Sequence, residues 1–296
     1  MATETAVQKR SAGRRLAGLF HGRPRRQVGS LLAGPAAWLV VGYLGSLALL
    51  LIAAFWSVNP VSGELQKTLT FENFELLWNE PVYRTIVGRT VLIAALVTLT
   101  DAILAFPIAF YMAKVASRRT KGALVVAVLI PLWSGYLVKV LSWRTMLSPS
   151  GGFISWVLEP FGLSSPGYGN TAVWLVMSYL WLPYMVLPIF AGLERIPNTL
   201  ISASEDLGAK PLTTFRRVIL PLTFPAVVAG SIFTFALTLG DYITPKLVSS
   251  NQFIASVVYN NFSVNLPLSA AMALVSIAVM IIYLLAARRL GAFEHI

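Results

Sequence analysis

Five ionisable residues stand within or at the ends of long apolar stretches of this sequence: Arg89, Asp101, Lys139, Arg144 and Asp241. A charged side chain among apolar residues is costly, so each is a candidate for ligand contact or for an internal ion pair. Arg89, Lys139 and Arg144 lie near the ends of their stretches, which favours a structural role because long side chains can reach water there. Asp101 lies near the middle of its stretch. It can pair with Lys139 or Arg144 or contact a ligand, and the structural role is favoured.

Asp241 is the best candidate for ligand contact. It lies between Gly240 and Pro245, where a helix can loosen and a carboxylate can face a path through the molecule. A buried anion at this position would favour a cationic ligand. The structural alternatives are an ion pair with Lys246 and the capping of broken backbone.

Aromatic faces also attract cations. Most tryptophan and tyrosine residues here fit an interfacial aromatic belt, and Tyr136 and Trp181 are the two that we assign to a cation-binding cage. The predicted binding residues are therefore Asp241, Asp101, Tyr136 and Trp181.

Several kinds of chemistry are excluded. The sequence has no cysteine, and its two histidines, His21 and His295, lie near opposite ends, so thiolate chemistry is absent and a histidine metal cluster is implausible. It has no G-x-x-x-x-G-K-[ST] phosphate loop, and we find no set of residues suited to a membrane-embedded enzyme. The chain is predicted to be no enzyme and to bind no cofactor or metal itself.

The composition indicates whether water or lipid surrounds the folded chain. Of 296 residues, 56% are hydrophobic and only 12% are charged, with a mean hydropathy of +0.72, so most of the chain must lie in lipid. The net charge of +11 comes from basic residues between the apolar stretches, which argues against nucleic acid as a partner. We predict an all-α membrane protein with six transmembrane helices, at Leu31–Val58, Ile86–Ala113, Gly122–Leu147, Ala172–Leu193, Thr223–Lys246 and Ser269–Ala287.

Most of the 23 lysines and arginines lie in the two tails and in two loops between predicted helices. These are the second loop, which contains Lys114 to Lys121, and the fourth loop, 197–221. By the positive-inside rule these segments, including both termini, are predicted to be cytoplasmic. The predicted organisation is a basic tail at 1–30, a first helix at 31–58, a periplasmic loop at 59–82 and a five-helix core at 83–290, with a cytoplasmic loop at 197–221. A short helix is expected over Phe153 to Leu158.

The sequence of the fourth loop, 197–221, predicts two short helices. Asn198 can cap the first, Gly208 can end it in a left-handed turn, and Pro211 suits the first turn of the second. A unit this small cannot bury its own apolar side chains, so these need the ends of the membrane helices or a partner protein.

This loop resembles a signature of the permeases of binding-protein-dependent ABC importers, type I. That signature is Glu-Ala-Ala, three residues, Gly, nine residues and Ile-x-Leu-Pro. Here it reads Ser202-Ala203-Ser204, Gly208 and Val218-Ile219-Leu220-Pro221, with both intervals intact. Ser202 replaces the glutamate, and Glu205 lies one helical turn further on. The resemblance implies that Ser202, Ala203, Ser204, Glu205, Leu207, Gly208 and Pro221 couple the chain to an ATPase.

The resemblance also carries implications for substrate and partners. The segments from Ile130 to Arg144 and from Leu239 to Pro245 look like the branch that carries spermidine and putrescine. The implied partners are two ATPase subunits that bind ATP and Mg²⁺, a second permease subunit in a heterodimer, a solute-binding protein and the lipid of a bacterial inner membrane. A secondary transporter or channel is the alternative, but it leaves the spacing in the loop unexplained.

Overall fold

The computed structural model describes residues 32–59 and 62–289; the predicted basic tail 1–30, Leu31, residue 290, His21 and His295 lie outside them. Apart from two short strands, the described elements are helices, which confirms the all-α class. Five helices of the described residues are long and apolar enough to cross a membrane, and the number is six if a pair of helices joined by a sharp bend is counted as one span. The chain divides into two units between Ala53 and Ala54.

The described part of the first unit is helix α1, Leu32–Ala53. It includes a π-helical stretch, Trp38–Leu44. Its side chains are almost all apolar, as a lipid-facing helix requires. The predicted span continued to Val58, but the helix ends at Ala53.

The second unit begins with a segment that contains two short strands and a helix. Strand β1, Ser57–Val58, pairs antiparallel with β2, Leu65–Gln66, and helix α2 covers Glu72–Asn79. The side-chain amide of Asn73 donates to the carbonyl oxygens of Ala54 at 3.0 Å and Trp56 at 2.7 Å. Part of the segment predicted as the loop 59–82 therefore has regular secondary structure.

Three long helices form the core: α3, Pro81–Val115; α7, Asn170–Glu194; and α9, Pro211–Gly240. Helix α3 begins before the predicted Ile86 because Pro81 suits a first helical turn. Small residues allow close approach: a Cβ added at Gly192 of α7 would stand 2.5 Å from the Cβ of Ala226 on α9. Such contacts are typical of helix interfaces in lipid.

The predicted third span, Gly122–Leu147, is not one straight helix. It consists of α4, Arg118–Trp133, and α5, Tyr136–Met146, which meet at an angle of 91°. Pro131 lies in the last turn of α4, and its carbonyl oxygen accepts hydrogen bonds from the Ser134 hydroxyl at 2.9 Å and the Lys139 ammonium at 2.9 Å. These donors replace the backbone partner that the break removes, so the bend keeps its polar groups satisfied.

The remaining helices are shorter, except the last. They are α6, Phe153–Leu158, which confirms the expected short helix; α8, Asn198–Asp206; α10, Ile243–Val248; α11, Ile254–Asn261; and α12, Leu266–Arg289. The predicted fifth span ran to Lys246, but α9 ends at Gly240 because Asp241 has an extended backbone. Lys246 belongs to α10.

Candidate functional site

Asp241 lies at the break between α9 and α10. Its Oδ1 accepts from the backbone N–H groups of Ile243 at 2.9 Å and Thr244 at 3.1 Å. Its Oδ2 accepts from the Thr244 hydroxyl at 2.6 Å and from the Tyr136 hydroxyl. The structure thus contains the capping arrangement named above as one alternative. The other alternative, an ion pair with Lys246, is absent, and the Lys246 ammonium instead lies 4.6 Å from the ring centre of Tyr259.

A cavity of about 330 Å³ opens beside Asp241. Tyr136, Trp181, Gly240 and Tyr242 contribute to its wall. The rings of Tyr136 and Trp181 are stacked, with centroids 6.1 Å apart and planes 20° from parallel. Tyr136 reaches this position because it is the first residue of α5, directly after the bend. Three of the four predicted binding residues therefore line one cavity.

Asp101 lies outside this cavity. It is fully buried on α3, and neither of its carboxylate oxygens has a hydrogen-bond partner among the described residues. The predicted pairing with Lys139 or Arg144 is wrong. Lys139 bonds to the bend, and the Arg144 guanidinium lies 5.8 Å from the ring centre of Tyr168. The bend turns α5 away from the direction of α4, whereas the prediction assumed one straight helix.

Arg89 has a structural contact, as favoured from the sequence. Helix α3 is 35 residues long, about 52 Å at 1.5 Å per residue, so it exceeds the thickness of the hydrocarbon core. Near its first end, the Arg89 guanidinium donates to the carbonyl oxygen of Gln252 at 3.1 Å, and the Thr90 hydroxyl accepts from the N–H of Ile254 at 3.1 Å. These bonds tie α3 to the segment that precedes α11.

At the other end of the core lies the loop 197–221, where α8 ends as predicted. Gly208 has a φ of +78°, its N–H donates to the Glu205 carbonyl at 2.8 Å, and the N–H of Ala209 donates to the Ser204 carbonyl at 3.0 Å. This pattern is a Schellman motif, which favours glycine at the left-handed position. Pro211 begins α9, also as predicted.

The prediction that Asn198 caps α8 is wrong. Pro197 occupies the cap position, and Asn198 is the first helical residue. The side-chain oxygen of Asn198 instead accepts from the Lys114 ammonium at 3.2 Å. A contact between distant parts of the chain has displaced the local one.

The apolar side chains of the loop divide into two sets. Ile201 and Phe215 pack on the core, and Phe215 makes an edge-to-face contact with Phe106 of α3 at 5.4 Å. The hydroxyls of Ser204 and Thr214 are 2.9 Å apart and join the two helices. The second set is exposed and consists of Leu200, Leu207 and Leu212, with Leu207 at 89% exposure.

Ser202, which replaces the glutamate of the family signature, is exposed, and so is Glu205. Ser202 donates to the Asn198 carbonyl at 3.3 Å within its own helix. Glu205 has no basic partner within ion-pair distance among the described residues. In this structure Glu205 therefore does not supply an ion pair for the glutamate that Ser202 replaces.

The sequence analysis did not predict the contacts of two lysines that lie next to this loop. Lys114 also donates to the carbonyl oxygen of Ile196 at 2.6 Å, and Lys121 forms an ion pair with Glu194 at 2.7 Å. Both lysines belong to the basic cluster of the second loop, which we used only to predict the orientation in the membrane.

Known proteins resemble this chain over most of its length. Residues 89–292 match the family model described as binding-protein-dependent transport system inner membrane component. The inner membrane ABC transporter permease protein YdcU of Escherichia coli (strain K12) is 40% identical over 298 residues, which covers 95% of each chain. The spermidine/putrescine transport system permease protein PotB of Haemophilus influenzae is 27% identical over 233 residues, which covers 76% of this chain and 81% of the relative.

Solved structures share the fold. A chain of a bacterial alginate ABC transporter, crystallised with an alginate-bound periplasmic protein, superposes with a TM-score of 0.72 at 16% identity and covers 90% of this chain and 93% of its own length. A chain of the MetNI methionine ABC transporter superposes with a TM-score of 0.57 at 15% identity and covers 73% of this chain and 96% of its own length.

Proposed function

The chain belongs to the family of binding-protein-dependent transport system inner membrane components and is an ABC importer permease subunit, not an enzyme; from this premise we propose that it translocates a small cationic solute such as a polyamine. The PotB relative of Haemophilus influenzae, which is named for spermidine and putrescine transport, supports this solute class.

The observation that carries the proposal is the charge of Asp241 at the wall of an aromatic cavity. Its four hydrogen-bond donors are two backbone N–H groups and the hydroxyls of Tyr136 and Thr244, all of them neutral. No lysine or arginine of the described residues lies within ion-pair distance of it. The negative charge is therefore oriented but not neutralised by a basic side chain, and it attracts a cation. The faces of Tyr136 and Trp181 add to this preference.

The energy comes from ATP bound to separate ATPase subunits, with Mg²⁺, and the loop 197–221 docks on them. Exposed leucines at Leu200, Leu207 and Leu212 support this role, because no described residue covers them and a protein partner would. The coupling residues are Ser202, Ala203, Ser204, Glu205, Leu207, Gly208 and Pro221.

The full importer contains two permease chains, two ATPase subunits and a solute-binding protein. The resemblance to the spermidine and putrescine branch favours a heterodimer of permeases. The solute-binding protein delivers the solute to the end of the molecule that carries α10 and α11, opposite to the loop 197–221.

The end that carries the loop 197–221 is cytoplasmic, as are both termini. Lys114 and Lys121 from the second loop contact Glu194, Ile196 and Asn198. The two basic loops therefore lie at one end of the molecule, and the positive-inside rule puts that end in the cytoplasm.

Uptake by the reconstituted importer tests the solute class. The permease is purified with its ATPase subunits, second permease and solute-binding protein, and incorporated into proteoliposomes. We expect ATP-dependent uptake of radiolabelled putrescine or spermidine and none of glutamate, the anionic control. Uptake of glutamate alone would refute a cationic solute. Uptake driven by an ion gradient without ATPase subunits would favour a secondary transporter.

A further inference from the structure

A second cavity, of about 180 Å³, lies next to the aromatic one, and Tyr242 forms part of the wall of both. The charge and polarity of its lining differ from those of the aromatic cavity. Its lining residues include Lys246, Gln252, Ser256 and Asn260, and none of its lining residues is acidic. It therefore presents a positive charge together with neutral hydrogen-bonding groups.

The ammonium of Lys246 has no carboxylate partner among the described residues. It lies over the ring of Tyr259, 4.6 Å from the ring centre, and that ring stacks on Tyr242 with centroids 4.3 Å apart. Asp241, the acidic residue nearest in sequence, points its oxygens at the first turn of α10 instead. The ring orients the lysine without neutralising it, so its donors remain available to an anion.

Ser256 supplies an independent indication of a ligand. It is only 7% exposed, and its buried hydroxyl has no hydrogen-bond partner among the described residues. A buried hydroxyl without a partner is costly, and a bound acceptor removes that cost. Ser256 is the third residue of α11, and the N-terminal turn of a helix favours negative charge.

We propose that this cavity binds a carboxylate, supplied by an acidic side chain of the solute-binding protein. The inference rests on the proposed function, which assigns the end with α10 and α11 to that partner. A carboxylate of the solute is the other possible source. The shared wall at Tyr242 argues against it, because a solute held beside Asp241 reaches Lys246 only if that ring moves.

The affinity of the solute-binding protein for the assembled importer tests the proposal. The importer is placed in lipid nanodiscs, and the Kd of the solute-free binding protein is measured for wild type, Lys246→Met and Ser256→Ala. Ser256→Ala breaks no hydrogen bond of the described structure, so its folding is expected to be intact. Copurification with the ATPase subunits checks assembly. The matched control is Lys67→Met, because Lys67 is also exposed and lies 5.6 Å from the ring centre of Trp56.

We expect the Kd to rise about tenfold or more for Lys246→Met, as for the loss of a charge-assisted hydrogen bond, and severalfold for Ser256→Ala. The salt dependence of the Kd should also weaken for Lys246→Met, whereas Lys67→Met should match wild type. An unchanged Kd for assembled Lys246→Met would overturn the proposal. A loss seen only with solute-loaded binding protein would assign the carboxylate to the solute and also overturn it. Failure of wild type to bind the binding protein would instead refute the proposed function.

Discussion

The ammonium of Lys114 lies 2.6 Å from the carbonyl oxygen of Ile196. This bond joins the last turn of α3 to the chain just before α8. The same helix is bonded near its other end, through Thr90, to the backbone of Ile254. A single helix thus connects the chain next to the loop 197–221 with the start of α11, which borders the cavity of about 180 Å³.

Replacing Lys114 tests this connection. Lys114→Met keeps the length of the side chain but loses its bonds to Ile196 and Asn198, so movement of α8 should be transmitted less well to α3. We expect uptake per ATP hydrolysed to fall severalfold while assembly is retained, measured as uptake and phosphate release in the same proteoliposomes. Lys121→Met is the matched control, since its exposed ion pair with Glu194 should contribute little. An equal loss in both variants would show that Lys114 has no special role.

Gly208→Val should uncouple ATP hydrolysis from transport. A β-branched residue is strained at a φ of +78°, at a cost of about 1–2 kcal/mol, and should change the direction in which α8 points. The measurement is ATPase stimulation by the solute-binding protein together with uptake. Gly151→Val carries similar strain at a φ of +76° in another loop and serves as the control. Normal stimulation and uptake in Gly208→Val would remove the loop from coupling.

Asp241→Asn should impair uptake of a cationic solute without unfolding the site. The amide oxygen can still accept from the two backbone N–H groups, and the hydroxyls of Tyr136 and Thr244 can rotate to accept from the amide nitrogen. Loss of the charge should cost about 1.5–3 kcal/mol in solute interaction. The solute concentration that gives half-maximal uptake would rise accordingly. Asp241→Ala, which also removes the cap, should lower stability by about 1 kcal/mol as well. Unchanged uptake in Asp241→Asn would exclude Asp241 from the mechanism.

Labelling of introduced cysteines tests the orientation. The chain has no cysteine, so Ser202→Cys provides a single reactive thiol on an exposed side of α8, and Ser250→Cys provides an exposed thiol at the opposite end. A membrane-impermeant maleimide applied to intact spheroplasts should label the second variant and not the first. Labelling of Ser202→Cys without permeabilisation would reverse the proposed topology.

Helix packing gives a stability prediction. Gly192→Ala places a methyl group against Ala226, and such overpacking costs about 1–3 kcal/mol. Gly88→Ala on α3 is the control, because a Cβ there meets no atom within 4 Å and the change improves helix propensity by up to about 1 kcal/mol. Thermal unfolding in detergent should show a lower midpoint for the first variant and an equal or higher one for the second.

The sequence by itself determined the membrane character, the all-α class and the family, because apolar length, charge position and loop spacing are local properties of the chain. It also determined the left-handed turn at Gly208, since backbone strain depends on a few adjacent residues. The grouping of Asp241, Tyr136 and Trp181 as binding residues came from their chemistry alone. The chemistry of these residues could not predict that all three line one cavity.

Only the tertiary structure decided which polar groups meet. The 91° bend at the end of α4 brings Tyr136 to Asp241 and directs Lys139 to Pro131 instead of Asp101. In the same way, Lys114 engages Asn198 and displaces the expected cap. A buried polar group takes the partner that the fold supplies, and residues far apart in the sequence supply it in both cases. Spacing along the chain predicts a helix or a turn, but the partners of its side chains depend on how the helices bend and pack.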